Sequence, residues 1–419
     1  MKQWILGKKI PDNREHVLWN VVGSSVYALS SMILTYLTIR IIGAEEGGIF
    51  AIGLTLAQMF VYIAYYEMRN FQVTDAENKY TFNDYHTLKI VLCVVMMVVC
   101  FIYGWIKIYD IHKLVVVLLV CFYRMIDGYA DVYEAQFHAK ERLDLAGKSM
   151  TFRTIFSVAV YFGILSMTKD LTIALISANV CGVIGVCIFN IWILPSFGSM
   201  KMSDNKAHLK GIIIDCFPLF IGMFLWTYLL SASRMAVDNV MTSTDQSYYQ
   251  VLFLPVSVIN LFAGFLIRPS LLVLTEHHAK GNQKAFWGII MKIFLLMVII
   301  SLVCMVGAYL VGIPVLQLLA GCDLSQYRML FVFLICAGGF NSIAYILYYV
   351  LTIFRNRGAI VCGYGIAASI ALLISNDMTR QFGLWGAAGS YLISILVLMF
   401  IFMGWLLWIS RNDKRLKKD

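Results

Sequence analysis

Charge is scarce in this sequence. Asp, Glu, Lys and Arg make up 14% of the 419 residues, where a soluble domain carries about a quarter. Proline is scarce too, with six in the chain. No polar stretch is long enough to hold a soluble domain. The patterns GxxxxGK[ST], HExxH and GxSxG do not occur. If the chain pumps a solute, an H+ or Na+ gradient or the substrate's own downhill flux would drive it, and not ATP through a nucleotide-binding loop. No enzyme chemistry is indicated and no cofactor is expected. The opening MKQWILGKKIPDNREH lacks the apolar core and small-residue cleavage site of a signal peptide, so the first apolar run is expected to direct insertion. Ten cysteines are present, nine of them in or beside apolar runs, with Cys322 alone in an expected outer loop. Their spacing fits neither a metal site nor a disulfide framework. His277 and His278 form a lone pair, expected in a solvated inner loop.

What is present is hydrocarbon. The chain is 60% hydrophobic with mean hydropathy +0.78. Runs near 20 residues mark spanning helices. Twelve are expected, at 17–40, 47–66, 87–106, 114–136, 154–168, 171–193, 212–234, 248–272, 286–310, 329–353, 359–375 and 385–409. The fold class is an all-α integral membrane protein. If the N-terminus is cytoplasmic, the inner segments hold 22 lysines and arginines and the outer ones 6. That asymmetry supports an even number of spans with both termini cytoplasmic. It also accounts for the net charge of +9 as topology, so no nucleic-acid partner is implied. The polar segment 195–211 follows the sixth run. It divides the chain into a first six-helix bundle, 1–198, and a second, 199–419, as a duplicated unit would.

The stretch 113–148, KLVVVLLVCFYRMIDGYADVYEAQFHAKERLDLAGK, places Arg124, Asp127, Asp131 and Glu134 in one apolar run. At about 100° per residue they share a stripe about 80° wide. One charge at the bilayer centre costs about 2.5–3.5 kcal/mol on insertion scales. Four are tolerable only against a partner helix or a watery cavity. A plain reading is an Arg124–Asp127 pair that neutralises itself, with Glu134 near the headgroups. A functional reading makes the stripe the wall of a substrate cavity, with Arg124 as anion contact or an acid exchanging protons. Arg69 and Arg268 close helices at the inner face, where snorkelling or solvation competes with substrate contact. Arg234 and Asp238 are spaced i, i+4 at an outer end, as a gate or an interfacial anchor. Pro218 is expected to weaken the first turns of its helix, and Pro269 to kink its own. Gly386 and Gly389 favour close helix packing.

YYEMRNFQVTD, YRMIDGYADVYEAQFHAKERLDLAGKS and GLWGAAGSYLIS resemble stretches of bacterial polysaccharide-precursor flippases. These are the Wzx-like oligosaccharide transporters of the multidrug/oligosaccharidyl-lipid/polysaccharide exporter superfamily. The resemblance covers essentially the whole chain through diffuse motifs. It implies two six-helix bundles forming a V around a central cavity lined by cations. It implies movement of a polyprenyl-pyrophosphate-linked oligosaccharide from the inner to the outer leaflet of the bacterial cytoplasmic membrane by alternating access. Membrane lipid, a polysaccharide polymerase and glycosyltransferases would be its partners. Arg124 would contact pyrophosphate or an acidic sugar, and Arg268 and Arg69 would make first capture. The three acids beside Arg124 depart from a purely cationic pattern and suit sugar binding or proton coupling. A cation-coupled drug antiporter of the same superfamily is the main alternative, with Asp127 and Asp131 holding the cation. A flippase for the peptidoglycan lipid precursor is a further one. A membrane-embedded polymerase or transferase would need a larger outer loop.

Overall fold

The computed structural model describes residues 12–75, 79–354 and 356–412, and among these every regular element is helical. The long helices are α1 (Asn13–Ile42), α2 (Ala44–Tyr65), α3 (Phe82–Ile106), α4 (Ile111–Ala139), α5 (Leu143–Thr168) and α6 (Leu171–Val186). They continue as α7 (Lys206–Val240), α8 (Ser243–Ala279), α9 (Gln283–Gly307), α10 (Arg328–Ile353) and α11 (Arg357–Asn412). A short helix, Met68–Thr74, follows α2. Helical π turns at Cys187–Ile191 and Ala308–Gly312 extend α6 and α9.

Among the described residues, ten helices are long and apolar enough to cross a membrane. α4 is not among them, because its stripe of charge exceeds what an unaided span tolerates. α11 counts once although Gly383, at φ 58 and ψ −138, divides it into two limbs. With α4 added by its length and the limbs separated, twelve helical segments correspond to the twelve expected runs. The chain is a multi-pass membrane protein.

Several boundaries differ from expectation. The run expected at 154–168 begins at Leu143, because LDLAGKSMTFR continues the helix on a buried polar face. Pro218 lies inside α7 without breaking it, and Pro255 and Pro269 lie likewise inside α8. His277 and His278 occupy the last turn of α8 and not a loop. The expected break near 376–384 is helical up to Gly383: Thr379 donates to the Ser375 carbonyl at 2.7 Å, and both are buried.

The chain divides into two compact units, Met1–Phe224 and Leu225–Asp419, with the boundary inside α7. In the first unit α1 lies along α5, α2 along α4, and α3 and α6 flank α4. Small residues set these approaches. A Cβ on Gly147 would stand 2.3 Å from the Trp19 carbonyl oxygen, so α1 and α5 touch backbone to backbone. A Cβ on Gly128 would stand 2.7 Å from the Ala64 methyl. α4 and α6 begin on Asp110 and Asp170, whose carboxylates accept from Lys113 N at 3.3 Å and Ile173 N at 2.9 Å. The polar segment before α7 is held on the start of α3. Lys201 N donates to Asn83 Oδ1 at 3.0 Å, Ser203 Oγ donates to Asp84, and His208 Nδ1 lies 3.0 Å from Asp84. In the second unit α10 packs against both α8 and α11. Its core is aromatic where Trp226 and Tyr348 meet Tyr364. Gly386 closes on Met378 across the bend at Gly383, which realises the expected close packing within one helix.

Candidate functional site: a charge chain in the first unit

α4 presents two unlike faces. One lines an apolar groove of about 810 Å³ with α3 and α6, through Phe122, Met125 and Tyr129. The other carries the charged stripe, and it faces its own unit. Arg124, Asp131 and Glu134 are buried. Unpaired, each would cost several kcal/mol. They are paired in strict alternation.

The chain of pairs starts at Lys89 on α3, whose ammonium lies 3.2 Å from Asp131 Oδ2. Lys89 also donates to the carbonyls of Ala64 and Tyr65 at 3.0 and 3.3 Å, so all three of its donors are used. The other oxygen of Asp131 accepts from Arg69 at 3.1 Å. Arg69 lies 3.5 Å from Glu134 Oε2, whose second oxygen is 3.3 Å from Arg153 on α5. Arg153 donates to Asp127 Oδ1 at 2.9 Å, and Asp127 Oδ2 accepts from Arg124 at 3.2 Å. Arg124 ends the chain. It donates to Ser31 on α1 and lies 4.7 Å over the Tyr27 ring. The order is Lys89, Asp131, Arg69, Glu134, Arg153, Asp127, Arg124. Every acid stands between two bases, both ends are basic, and the seven groups carry a net charge of +1.

Beside this chain lies a cavity of about 250 Å³. Arg69, Arg153, Asp127, Asp131 and Glu134 line it, together with Glu67 and the rings of Tyr27, Tyr62 and Tyr65. Arg124 is not among its lining residues and instead contacts Asp127 and, on α1, Ser31. Arg69 is the most exposed member, with 29% of its side chain accessible. It reaches the cavity because α2 breaks after Tyr65. Tyr66 and Glu67 both adopt left-handed backbone, at φ 47 and φ 52, and the short helix then redirects the chain.

The structure thus gathers five of the expected residues into one cluster: Arg69, Arg124, Asp127, Asp131 and Glu134. It places the other three in the second unit. Arg268 is exposed on α8 and donates to the Tyr345 and Tyr349 hydroxyls at 3.1 and 3.3 Å. Arg234 is buried on α7, 4.9 Å over the Phe253 ring, and donates to the Leu230 carbonyl at 3.3 Å. Asp238 is half-buried one turn further on. Lys89 and Arg153 are members of the charge chain that sequence reasoning missed. Lys89 sits near the start of an apolar run, and Arg153 was assigned to an inner loop ahead of a span drawn too short. Among the described residues no cluster of His, Cys, Asp or Glu is suited to a metal.

The sequence matches no protein-family profile. It is 21% identical over 316 residues to the capsular polysaccharide biosynthesis protein CapF of Staphylococcus aureus, covering 75% of this chain and 78% of CapF. Among solved structures it resembles the lipid II flippase MurJ in an inward closed conformation, with TM-score 0.70, 11% identity, and coverage of 93% of this chain and 87% of that one. It also resembles an inward-facing multidrug resistance MATE family transporter of the MOP superfamily, with TM-score 0.58, 13% identity, and coverage of 95% and 99%. A MOP superfamily transporter from Pyrococcus furiosus gives TM-score 0.54 at 12% identity, covering 100% of this chain and 97% of that one. These neighbours are transporters and a flippase, not enzymes. The all-helical membrane-spanning architecture and these likenesses agree: this protein has the fold of the MOP superfamily transporters.

Proposed function

We propose that this chain is a flippase that moves a polyprenyl-pyrophosphate-linked oligosaccharide from the inner to the outer leaflet of the bacterial cytoplasmic membrane by alternating access, for surface polysaccharide synthesis. The observation that carries this reading is a chain of alternating ion pairs with basic ends, inside a membrane-spanning unit and beside a cavity that its most accessible cation lines. Four buried or half-buried cations meet three acids, and the most accessible of the four is Arg69. A sugar–pyrophosphate head cannot enter hydrocarbon, while its polyprenyl tail can stay in lipid. The protein needs only to offer the head a polar path, and guanidinium groups suit phosphate oxygens. The likeness to a capsular polysaccharide protein supports the same substrate class. The excess of basic residues in alternate loops supports cytoplasmic termini. Glycosyltransferases that build the head and a polymerase that consumes it are the partners this role implies. The cycle would be coupled to an H+ or Na+ gradient or to substrate flux.

A second reading, transport of a peptidoglycan lipid precursor, is favoured by the likeness to MurJ. The two share a lipid–pyrophosphate chemistry and differ in the sugar. A drug–cation antiporter is less well served. Of the four acids that line the cavity, Asp127, Asp131 and Glu134 each already hold two bases, which leaves an incoming cation only Glu67.

The test is surface polymer in a deletion strain, complemented with wild type and with Arg69→Ala, at matched membrane levels. Loss on deletion, return with wild type and failure of Arg69→Ala is the expected pattern. A deletion strain that keeps both its polymer and its lipid-linked precursor pool overturns the reading. Failure to grow at all would favour the peptidoglycan precursor.

A further inference from the structure

We propose that Glu67 is the proton-binding residue of the cavity, and that its protonation strengthens the hold on an anionic group there. The inference rests on the cavity's being an anion site, and so deepens the reading above.

The four acids of the cavity are not equivalent. Asp127, Asp131 and Glu134 are each shared by two bases. A proton added to any of them would take one acid partner from each of two cations in a desolvated site. Glu67 has no ion-pair partner among the described residues. Its one hydrogen bond comes from the Asn70 side-chain amide, 3.0 Å from Oε2. An amide N–H can donate to a carboxylate or to the carbonyl oxygen of a carboxylic acid. Glu67 is therefore the acid that can gain and lose a proton without breaking an ion pair.

Its backbone supports a special role. Tyr66 and Glu67 are consecutive non-glycine residues in left-handed conformation. Such residues cost about 1–3 kcal/mol each and persist where surrounding structure holds them. Here the break ends α2, brings the Glu67 carboxyl to the cavity wall and sets Arg69 two residues on.

The groups facing Glu67 decide the sign. From α4 come Asp131, nearest in electrostatic effect, with Asp127 and Glu134; from α3 comes Lys89; from α5, Arg153; from α1, Tyr27. Tyr65 and Arg69 flank it on its own segment, and Cys216 on α7 senses its charge. Counted with the whole charge chain, Arg124 included, an ionised Glu67 sets four acids against four bases, and the site is neutral. With Glu67 protonated, the site is +1. An anion then binds more tightly at low pH, and by linkage a bound anion favours the protonated form. Proton and anion load together and leave together.

The experiment uses the purified full-length protein in detergent micelles, with inorganic pyrophosphate as probe. Binding is measured by calorimetry at about pH 8 and about pH 5.5 for wild type, Glu67→Gln and Glu45→Gln, an exposed acid in the first turn of α2. The probe's own titration is common to all three and cancels in the comparison. Wild type and Glu45→Gln are expected to gain about tenfold in affinity relative to Glu67→Gln on acidification, the scale of one added charge at such a distance. The infrared difference spectrum between the two pH values should show a carboxylic acid band that Glu67→Gln removes. Glu67→Ala is the second variant, with the same expectation, should the first fold poorly. An equal pH slope in wild type and both variants overturns the proposal, as does a band that survives them. Failure of wild type to bind pyrophosphate at either pH overturns it as well. The flippase reading is judged separately, by polymer in the deletion strain. Loss of that reading would leave proton-linked anion binding standing, and the converse holds.

Discussion

Lys89 on α3 and Asp131 on α4 form an ion pair at 3.2 Å with the lysine fully buried. The pair is the anchored end of the charge chain, and the two partners are not equivalent. Removing Lys89 leaves Asp131 with Arg69; removing the charge of Asp131 leaves two bases facing each other. Asp131→Asn is therefore expected to cost about 3–5 kcal/mol, the range for a broken buried pair. Lys89→Met should cost less. The double variant should recover part of the loss, because Lys89 is no longer stranded. Thermal unfolding of the purified proteins in one detergent checks the order. Asp131→Asn proving milder than Lys89→Met would contradict it.

Gly147 faces the Trp19 carbonyl with no room for a side chain. Gly147→Val should push α1 from α5 and cost at least about 1–3 kcal/mol, as overpacking does. The readout is the yield of monodisperse protein and its melting temperature. Gly163, where a Cβ would meet nothing, serves as the tolerant control: Gly163→Ala should be nearly silent.

Gly383 makes a different demand. A Cβ there would meet only the Met241 methyl at 3.6 Å, so space is adequate. The backbone is what excludes a side chain, since φ 58 with ψ −138 belongs to glycine. Gly383→Ala should cost about 1–3 kcal/mol through the backbone alone. A melting temperature equal to wild type would show that the bend relaxes freely.

Arg268 is exposed and bonded to two tyrosine hydroxyls. Arg268→Ala should change stability by less than about 1 kcal/mol, since those hydroxyls remain accessible to other partners. If Arg268 captures an anionic head, the same variant lowers surface polymer at normal protein level, and Arg268→Lys restores part of it. Full complementation by Arg268→Ala would assign it to the headgroup zone.

Lys79 precedes α3 and lies 2.9 Å from Asp215. That hydrogen bond holds the Lys79 ammonium above the usual lysine range. A raised folded value contributes stability that is fully present below the unfolded lysine value, about 10.4, and is lost only as pH rises beyond it. The lysine therefore stays charged across the neutral range. The effect of Lys79→Ala on melting should be the same at pH 6 and pH 9. A pH dependence of binding between those values that survives in Lys79→Ala then comes from elsewhere, as the assignment of Glu67 requires.

The spans were legible because hydrocarbon thickness sets their length, and residue chemistry along one run is local information. The stripe of Arg124, Asp127, Asp131 and Glu134 was legible for the same reason. Its meaning was not. Read alone, α4 carries a net negative face at odds with an anionic substrate. The bases that reverse that balance stand on other elements: Lys89 on α3, Arg153 on α5 and Arg69 beyond α2. Their pairing is tertiary, and no spacing within one helix reports it. Arg153 was lost for a second reason. Hydropathy ends a span where polar residues begin, yet Asp144, Ser149, Thr151 and Arg153 continue α5 as buried groups. A polar helical face inside a bundle looks like a loop to a hydropathy window. The expected break at 376–384 contains the bend at Gly383 but starts too early, because Ser375, Asn376, Asp377 and Thr379 read as a turn while Ser375 and Thr379 bury their hydroxyls on the helix.

The alternation of the charge chain has a consequence for genetics. Treated as a graph, its acids are nodes of degree two, so loss of any one base leaves no acid isolated. A scan that changes one arginine or lysine at a time will underrate the cluster. Paired changes expose it. Arg69 and Arg153 are the two neighbours of Glu134, and removing both strips that carboxylate of every base it touches. The phenotype of the pair should exceed the sum of its singles, and the size of the excess measures how far the seven charges behave as one object.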